Sequence, residues 1–260
     1  MDYETLRVER ADGIATLTFN RPERLNTLSM QMRTEFGHAV EALEMESTVR
    51  VLILTGAGRV FCAGLDLAEW GMAGLTAAGA YDADAVQMLQ RFSGPVIGAI
   101  NGACVTGGLE LALACDLLIA STEASFADTH ALVGLLPGWG GSVRLARRIG
   151  LPRAKELALT GRLLSATDAH AWGLVNHVVP PDELLPRARA VAHEMLAAVP
   201  ETLNAYKRLL DEEYERTLAD ALVLERAASL AANSAVSRAD IDARLQSIKN
   251  ARAARARGGQ

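Results

Sequence analysis

The sequence predicts an α/β protein whose central strands pair in parallel and whose C-terminal region is helical. Three observations carry this. Residues 51–55, 96–100 and 117–120 are short, fully apolar strand patterns; a helical run, residues 109–114, separates the last two; and from about residue 152 the pattern is almost wholly helical. Short apolar strands alternating with helices need cover on both faces, which parallel pairing with helical crossovers supplies.

In chain order, residues 5–10 and Ile14–Phe19 flank the turn Ala11-Asp12-Gly13 and read as a hairpin. After the loop NRPERLNTLS, a helical stripe carries Met32, Phe36, Val40 and Leu43, with Ser29 placed as its N-cap. The strand at 51–55 ends at Gly-Ala-Gly. Residues 71–84, GMAGLTAAGAYDAD, hold three glycines without a clear period and are expected to be a mobile segment beside a site. Residues 175–179, closed by Pro180-Pro181, interrupt the later helices as one more strand. The last sixty residues read as two or three helices with apolar faces.

The chain has 260 residues, half of them hydrophobic, enough to build a core without a disulfide or metal staple. A net charge of -5 gives no general attraction to nucleic acid or to an anionic membrane. Cys62, Cys104 and Cys115 lie inside apolar runs with no C-x-x-C spacing, so they read as small buried residues of a reducing compartment. The acidic opening MDYETLRVERADG predicts neither a signal nor a transit peptide, and no apolar run approaches a membrane span. The expectation is a soluble cytoplasmic protein.

Several chemistries fail on their motifs. GWGGSV has valine where a dinucleotide fingerprint needs its third glycine; GACVTGG lacks the lysine and hydroxyl of a P-loop. No serine lies in G-x-S-x-G, and no histidine pair has the spacing of a helical metal site, so no metal is expected.

Two segments carry chemistry: FCAGLDL, from Phe61, and INGACVTGGLELALACD, from Ile100. In the second, Gly107-Gly108 opens a helix, where exposed N–H groups and the helix dipole favour developing negative charge. In the first, Ala63-Gly64 is a tight turn after a strand, with Asp66 placed to cap the next helix. Two such amides converging on one carbonyl oxygen would form an oxyanion hole. Glu110 then stands among Gly107, Gly108, Leu109, Leu111, Ala112 and Leu113. A carboxyl group in apolar surroundings exchanges protons more readily near neutrality. The plain reading beside it is a solvated first-turn glutamate favoured by the dipole.

These segments resemble the enoyl-CoA hydratase/isomerase, or crotonase, superfamily, over nearly the whole chain. NRPERLNTLS is similar to its CoA-contacting loop, and FCAGLDL and NGACVTGGLELALACD to its two oxyanion segments. PGWGGSVRLARRIG and TGRLLSATDAHAWGLVNHVV match later signatures in the right order. The resemblance implies a crotonase (ClpP-like) spiral of ββα units over residues 1–200. It also implies a helical trimerisation region at 201–260, in a homotrimer or dimer of trimers. It implies acyl-CoA thioester substrates and an enolate intermediate, with no dissociable cofactor because CoA arrives with the substrate. Leu65 and Gly108 would supply the oxyanion-hole amides and Glu110 the first catalytic carboxylate. Arg24, Leu25, Ala63, Asp66, Leu67, Gly107 and Trp139 fall where CoA or acyl contacts are expected.

The departure is His130, where hydratases of this family carry a second glutamate. It reads as an acid/base partner of Glu110, as a polar wall residue while Glu110 works alone, or as a structural histidine. Asp128 would share its face if the segment is extended, and would then either orient the imidazole or point to solvent. Trp139 replaces a small residue and either shapes the acyl pocket or packs the core. Cys62 and Cys104 are expected to be fillers. The basic tail KNARAARAR reads as a solvated helix end, or as a holder of a CoA phosphate. The implied activity is hydration of 2-enoyl-CoA to 3-hydroxyacyl-CoA. Isomerase, hydrolase, lyase or racemase chemistry on the same enolate, or a silent acyl-CoA-binding relative, stand beside it.

Overall fold

The computed structural model describes residues 2–69 and 84–258, with side chains through residue 250. Of the glycine-bearing stretch 71–84, all but Asp84 lies outside the described residues, as do the side chains of the basic tail beyond Asn250. The chain divides into two units, Met1–Leu203 and Asn204–Gln260.

Among the described residues, the first unit is built on two sheets. The hairpin of β1 (Leu6–Ala11) and β2 (Ile14–Phe19) turns at Asp12-Gly13, both with positive φ, as a two-residue hairpin loop requires. The expected three-residue turn is thus one residue shorter, because Ala11 still pairs with Ile14. From β2 the large sheet continues in parallel through β3 (Val51–Gly56), β5 (Val96–Ile100), β7 (Leu117–Ser121) and β10 (His177–Val179). Both faces are covered. Val51, Ile53, Ile97, Ala99 and Ile119 pack with Leu184, Ala188 and Ala192 of a helix at Leu184–Leu196, whereas Leu52, Leu54, Leu118 and Ala120 enter the main core. That two-sided burial is why these strands read as unbroken apolar runs.

A second, smaller sheet has the order β4 (Val60–Cys62), β6 (Ala103–Val105), β8 (Ser125–Ala127), β9 (Leu164–Ser165), its first three strands parallel. The sequence reading anticipated a strand before Ala63 but not this sheet; strands of three residues are too short to show a period. Together the sheets describe a spiral. The chain lays one strand in the large sheet and the next in the small one, and a helix closes the turn, most clearly in β5, β6 and the helix Gly107–Ala114. The helix Met30–Met45 has the predicted stripe Met32, Phe36, Val40 and Leu43 buried, and Ser29 Oγ accepts the Met32 N–H at 3.1 Å.

The second unit continues the helix Pro200–Tyr214 into Leu218–Asn233 and Arg238–Gly258. Its exposed side chains include Tyr206, Leu210, Leu222, Val223, Ile241 and Leu245. Among the described residues no helix is long and apolar enough to cross a membrane.

Candidate active site

Because β4, β6 and β8 are parallel neighbours, the loops leaving their C-terminal ends lie side by side. In open parallel sheets this edge is where ligands bind. The loop after β4 carries Ala63-Gly64-Leu65, the turn after β6 leads into Gly107-Gly108 and Glu110, and the loop after β8 carries Asp128, Thr129 and His130.

In the first loop, Gly64 has φ of +91°, a conformation that excludes most side chains. Leu28 N–H donates to the Gly64 carbonyl at 2.8 Å and Asp66 N–H donates to the Leu28 carbonyl at 3.3 Å. In such a parallel bridge the amide between the two points the other way. Leu65 N–H therefore faces away from Leu28, towards the second bend: a Cβ added to Gly107 would come 3.6 Å from the Leu65 nitrogen.

The second bend is packed still closer. A Cβ on Gly108 would lie 2.2 Å from the Cys62 carbonyl oxygen, so glycine is required there by contact. Thr106, ahead of it, has φ of +53° and is held on both sides. Its N–H donates to the Ala127 carbonyl at 2.9 Å and its hydroxyl is paired with that of Thr129. Gly108 is second in its helix and has no intrahelical acceptor. Among the described residues, neither its amide nor that of Leu65 has another protein acceptor.

Glu110 lies one turn on and is 3% exposed. Of the two readings the sequence offers, the solvated first-turn glutamate does not hold, but the buried carboxyl group has polar partners as well as apolar neighbours. Oε1 accepts the backbone N–H groups of Trp139 at 2.8 Å and Gly141 at 2.9 Å, the latter opening the helix Gly141–Ile149. A carboxylate at that N-terminus is favoured by the helix dipole. Oε2 lies 3.6 Å from His130 Nε2. Those donors are about thirty residues away in sequence; the Gly140-Gly141 helix start was the one signal that an acid would sit opposite.

His130 is 9% exposed, its Nδ1 2.7 Å from Asp128 Oδ1. The pairing anticipated from an extended segment is present by another route. His130 has φ of -52° and ψ of -49°, and Asp128 Oδ1 also accepts the His130 backbone N–H at 3.1 Å, a side-chain-closed turn. Burial alone would lower the imidazole's pKa. The hydrogen bonds and charges of Asp128 and Glu110 outweigh it and raise it to about 9. At neutral pH the ring is an imidazolium between two acids, not the half-titrated group that an unperturbed histidine would be. Asp128, also buried, is held below the usual carboxylate range: desolvation opposes this, and the two bonds from His130 prevail.

The remaining candidates group around the first bend. Ala63 N–H donates to the Leu25 carbonyl at 3.1 Å, which laces the loop bearing Arg24 and Leu25 to the segment bearing Ala63, Asp66 and Leu67. Leu25 and Leu67 are 42% and 45% exposed, and Arg24 is exposed as well. Asp66 Oδ2 takes Arg21 Nη1 at 3.2 Å and Thr27 Oγ1 at 3.3 Å, so it braces the loop. Arg21 and Thr27 were not singled out from sequence. Trp139 is buried, with ring atom Cζ3 3.4 Å from where a Gly107 Cβ would stand. Cys62 and Cys104 are cross-strand partners with fully buried thiols; burial pushes Cys62 up to about 12 and Cys104 well above the ordinary value, so neither is a ready nucleophile. Among the described residues no group of three or more His, Cys, Asp or Glu could hold a metal ion.

Paired sheets wound strand by strand, with a helical C-terminal region, define a crotonase-fold protein. The chain belongs to the enoyl-CoA hydratase/isomerase family, whose model matches residues 9–245. A probable enoyl-CoA hydratase of Mycobacterium leprae is 41% identical over 229 residues, 87% of this chain and 88% of that protein. A probable peroxisomal enoyl-CoA hydratase of Arabidopsis thaliana is 39% identical over 84% of this chain and 82% of its own. The crystal structure of an enoyl-CoA hydratase from Bacillus anthracis superposes with a TM-score of 0.86 at 34% identity, covering 95% of this chain and 96% of that one.

Proposed function

We propose that this protein is an enoyl-CoA hydratase that adds water across the double bond of a 2-enoyl-CoA to give the 3-hydroxyacyl-CoA. The observation that carries the reading is the meeting, at the ends of β4, β6 and β8, of the Leu65 and Gly108 amides, which have no protein acceptor among the described residues, with the Glu110 carboxyl group and the His130 ring. The Leu65 and Gly108 amides hold the thioester oxygen and stabilise the enolate. Glu110 takes a proton from water as its oxygen bonds to C3, and the π electrons move onto the thioester. The His130 imidazolium then gives its Nε2 proton to C2. Glu110, now protonated, returns that proton to Nε2 across the 3.6 Å that separates them, so both groups are restored.

CoA lies along Arg24, Leu25, Ala63, Asp66 and Leu67, the acyl group beside Gly107 and Trp139. No dissociable cofactor takes part. Residues 201–260 serve as the trimerisation region of a homotrimer or dimer of trimers, a reading supported by the apolar side chains this segment leaves exposed. Three buried thiols suit a reducing compartment, and a cytoplasmic place is proposed on that ground.

The test is turnover on a panel of 2-enoyl- and 3-enoyl-CoAs, with Glu110→Gln beside wild type. Hydration of 2-enoyl-CoA, reduced by about 10²- to 10⁴-fold in Glu110→Gln, is expected. Movement of a 3-enoyl double bond without hydration would make the protein an isomerase, and binding without turnover a silent relative.

A further inference from the structure

We propose that Asp128 is a positioning residue: it fixes the His130 ring so that Nε2 faces Glu110 in both protonation states. This deepens the hydratase reading and rests on it only in taking Glu110 and His130 as the reacting pair. One oxygen, Asp128 Oδ1, accepts both the backbone N–H and the ring Nδ1–H of His130, at 3.1 Å and 2.7 Å. The residue is 5% exposed, and its place is set by β8: the Ala127 carbonyl before it and the Thr129 hydroxyl after it both bond to Thr106. The backbone carbonyl of that same Thr106 accepts the N–H of Glu110 at 3.0 Å. The acid and the imidazole are therefore registered through one strained residue.

The consequence is for proton traffic. A hydration cycle takes the Nε2 proton away and later returns it. With Nδ1–H tied to a carboxylate, the neutral ring keeps its proton on Nδ1 and presents a bare Nε2 to the same place from which its proton left. No ring flip intervenes, and Asp128 stays ionised throughout. Asp128 and Glu110 are the titratable groups facing the ring. The helix Leu151–Thr160, packed against the turn after His130, carries Arg153, Lys155 and Glu156, all exposed.

The experiment uses the full chain with Asp128→Asn, His130→Gln and the double variant, and Asp128→Glu as the charge-keeping control. Ring nitrogen NMR of His130 against pH in the ligand-free protein is read beside kcat and KM on crotonyl-CoA. Expected are a wild-type ring whose neutral form, reached at alkaline pH, keeps its proton on Nδ1, and a titration lowered by about one pH unit or more in Asp128→Asn. A kcat loss of roughly 10- to 100-fold is expected with KM nearly unchanged, partly recovered in Asp128→Glu. In the His130→Gln background, Asp128→Asn should cost less than about twofold more. An unchanged tautomer and titration, or an equal loss with and without His130, would overturn the inference. If no enoyl-CoA is hydrated while the ring still responds to Asp128→Asn, the hydratase reading fails and the positioning role stands.

Discussion

At the scale of single residues, the proposed mechanism departs from that of a two-carboxylate hydratase by giving the second proton to the His130 ring. His130 is raised to about 9, so it is charged below that pH and neutral above it. As the proton donor to C2, it should give kcat/KM an alkaline limb near pH 9, lost in His130→Gln; a flat profile to well above that would remove it from the reaction. The same raised value has a stability consequence. The contribution is fully present below the unfolded value near 6.5 and is lost as pH rises through 9. Between those limits the melting temperature of wild type should fall more steeply than that of His130→Gln, as calorimetry would record. Glu110 gains its place differently, through two backbone donors and a helix N-terminus.

At the scale of elements, the small sheet does the positioning, and it is what the sequence displayed least. The central strands of the large sheet, β3, β5 and β7, are five or six residues long and largely apolar, so Val96–Ile100 was legible to the residue. The stripe and Ser29 cap of Met30–Met45 were legible for the same reason, a local period with a local stop. The three-residue strands β4, β6 and β8 have neither, and only the bends after them stood out. Asp128 and His130 were legible as a pair, since only Thr129 stands between them; the partners of Glu110 were not, because Trp139 and Gly141 arrive from a later loop. Gly108→Ala tests the join between β4 and the helix after β6. Its methyl group would meet the Cys62 carbonyl at 2.2 Å, so backbone must move. A loss of about 1–3 kcal/mol in denaturant unfolding is expected, together with loss of activity. A variant of wild-type stability and turnover would mean that the two bends are not held in contact.

At the scale of the whole molecule, the chain pairs a core that buries both faces of its main sheet with a helical segment that buries none of its described side chains. Such apolar helices gain stability only against another surface. Under the trimer proposal, Leu222→Asp with Val223→Asp should lower the solution mass measured by light scattering from three or six chains towards one. An assembly unaffected by both changes would place the contact elsewhere. The most direct measurement concerns the thioester itself. The infrared difference spectrum of an enoyl-CoA carrying a ¹³C label at its carbonyl, bound to Glu110→Gln so that it does not react, reports the bonds made to that oxygen. A carbonyl band shifted to lower frequency than in water is predicted, because the Leu65 and Gly108 amides both donate to it. A bound ligand whose band stays at its aqueous position would contradict the oxyanion hole and the enolate chemistry built on it.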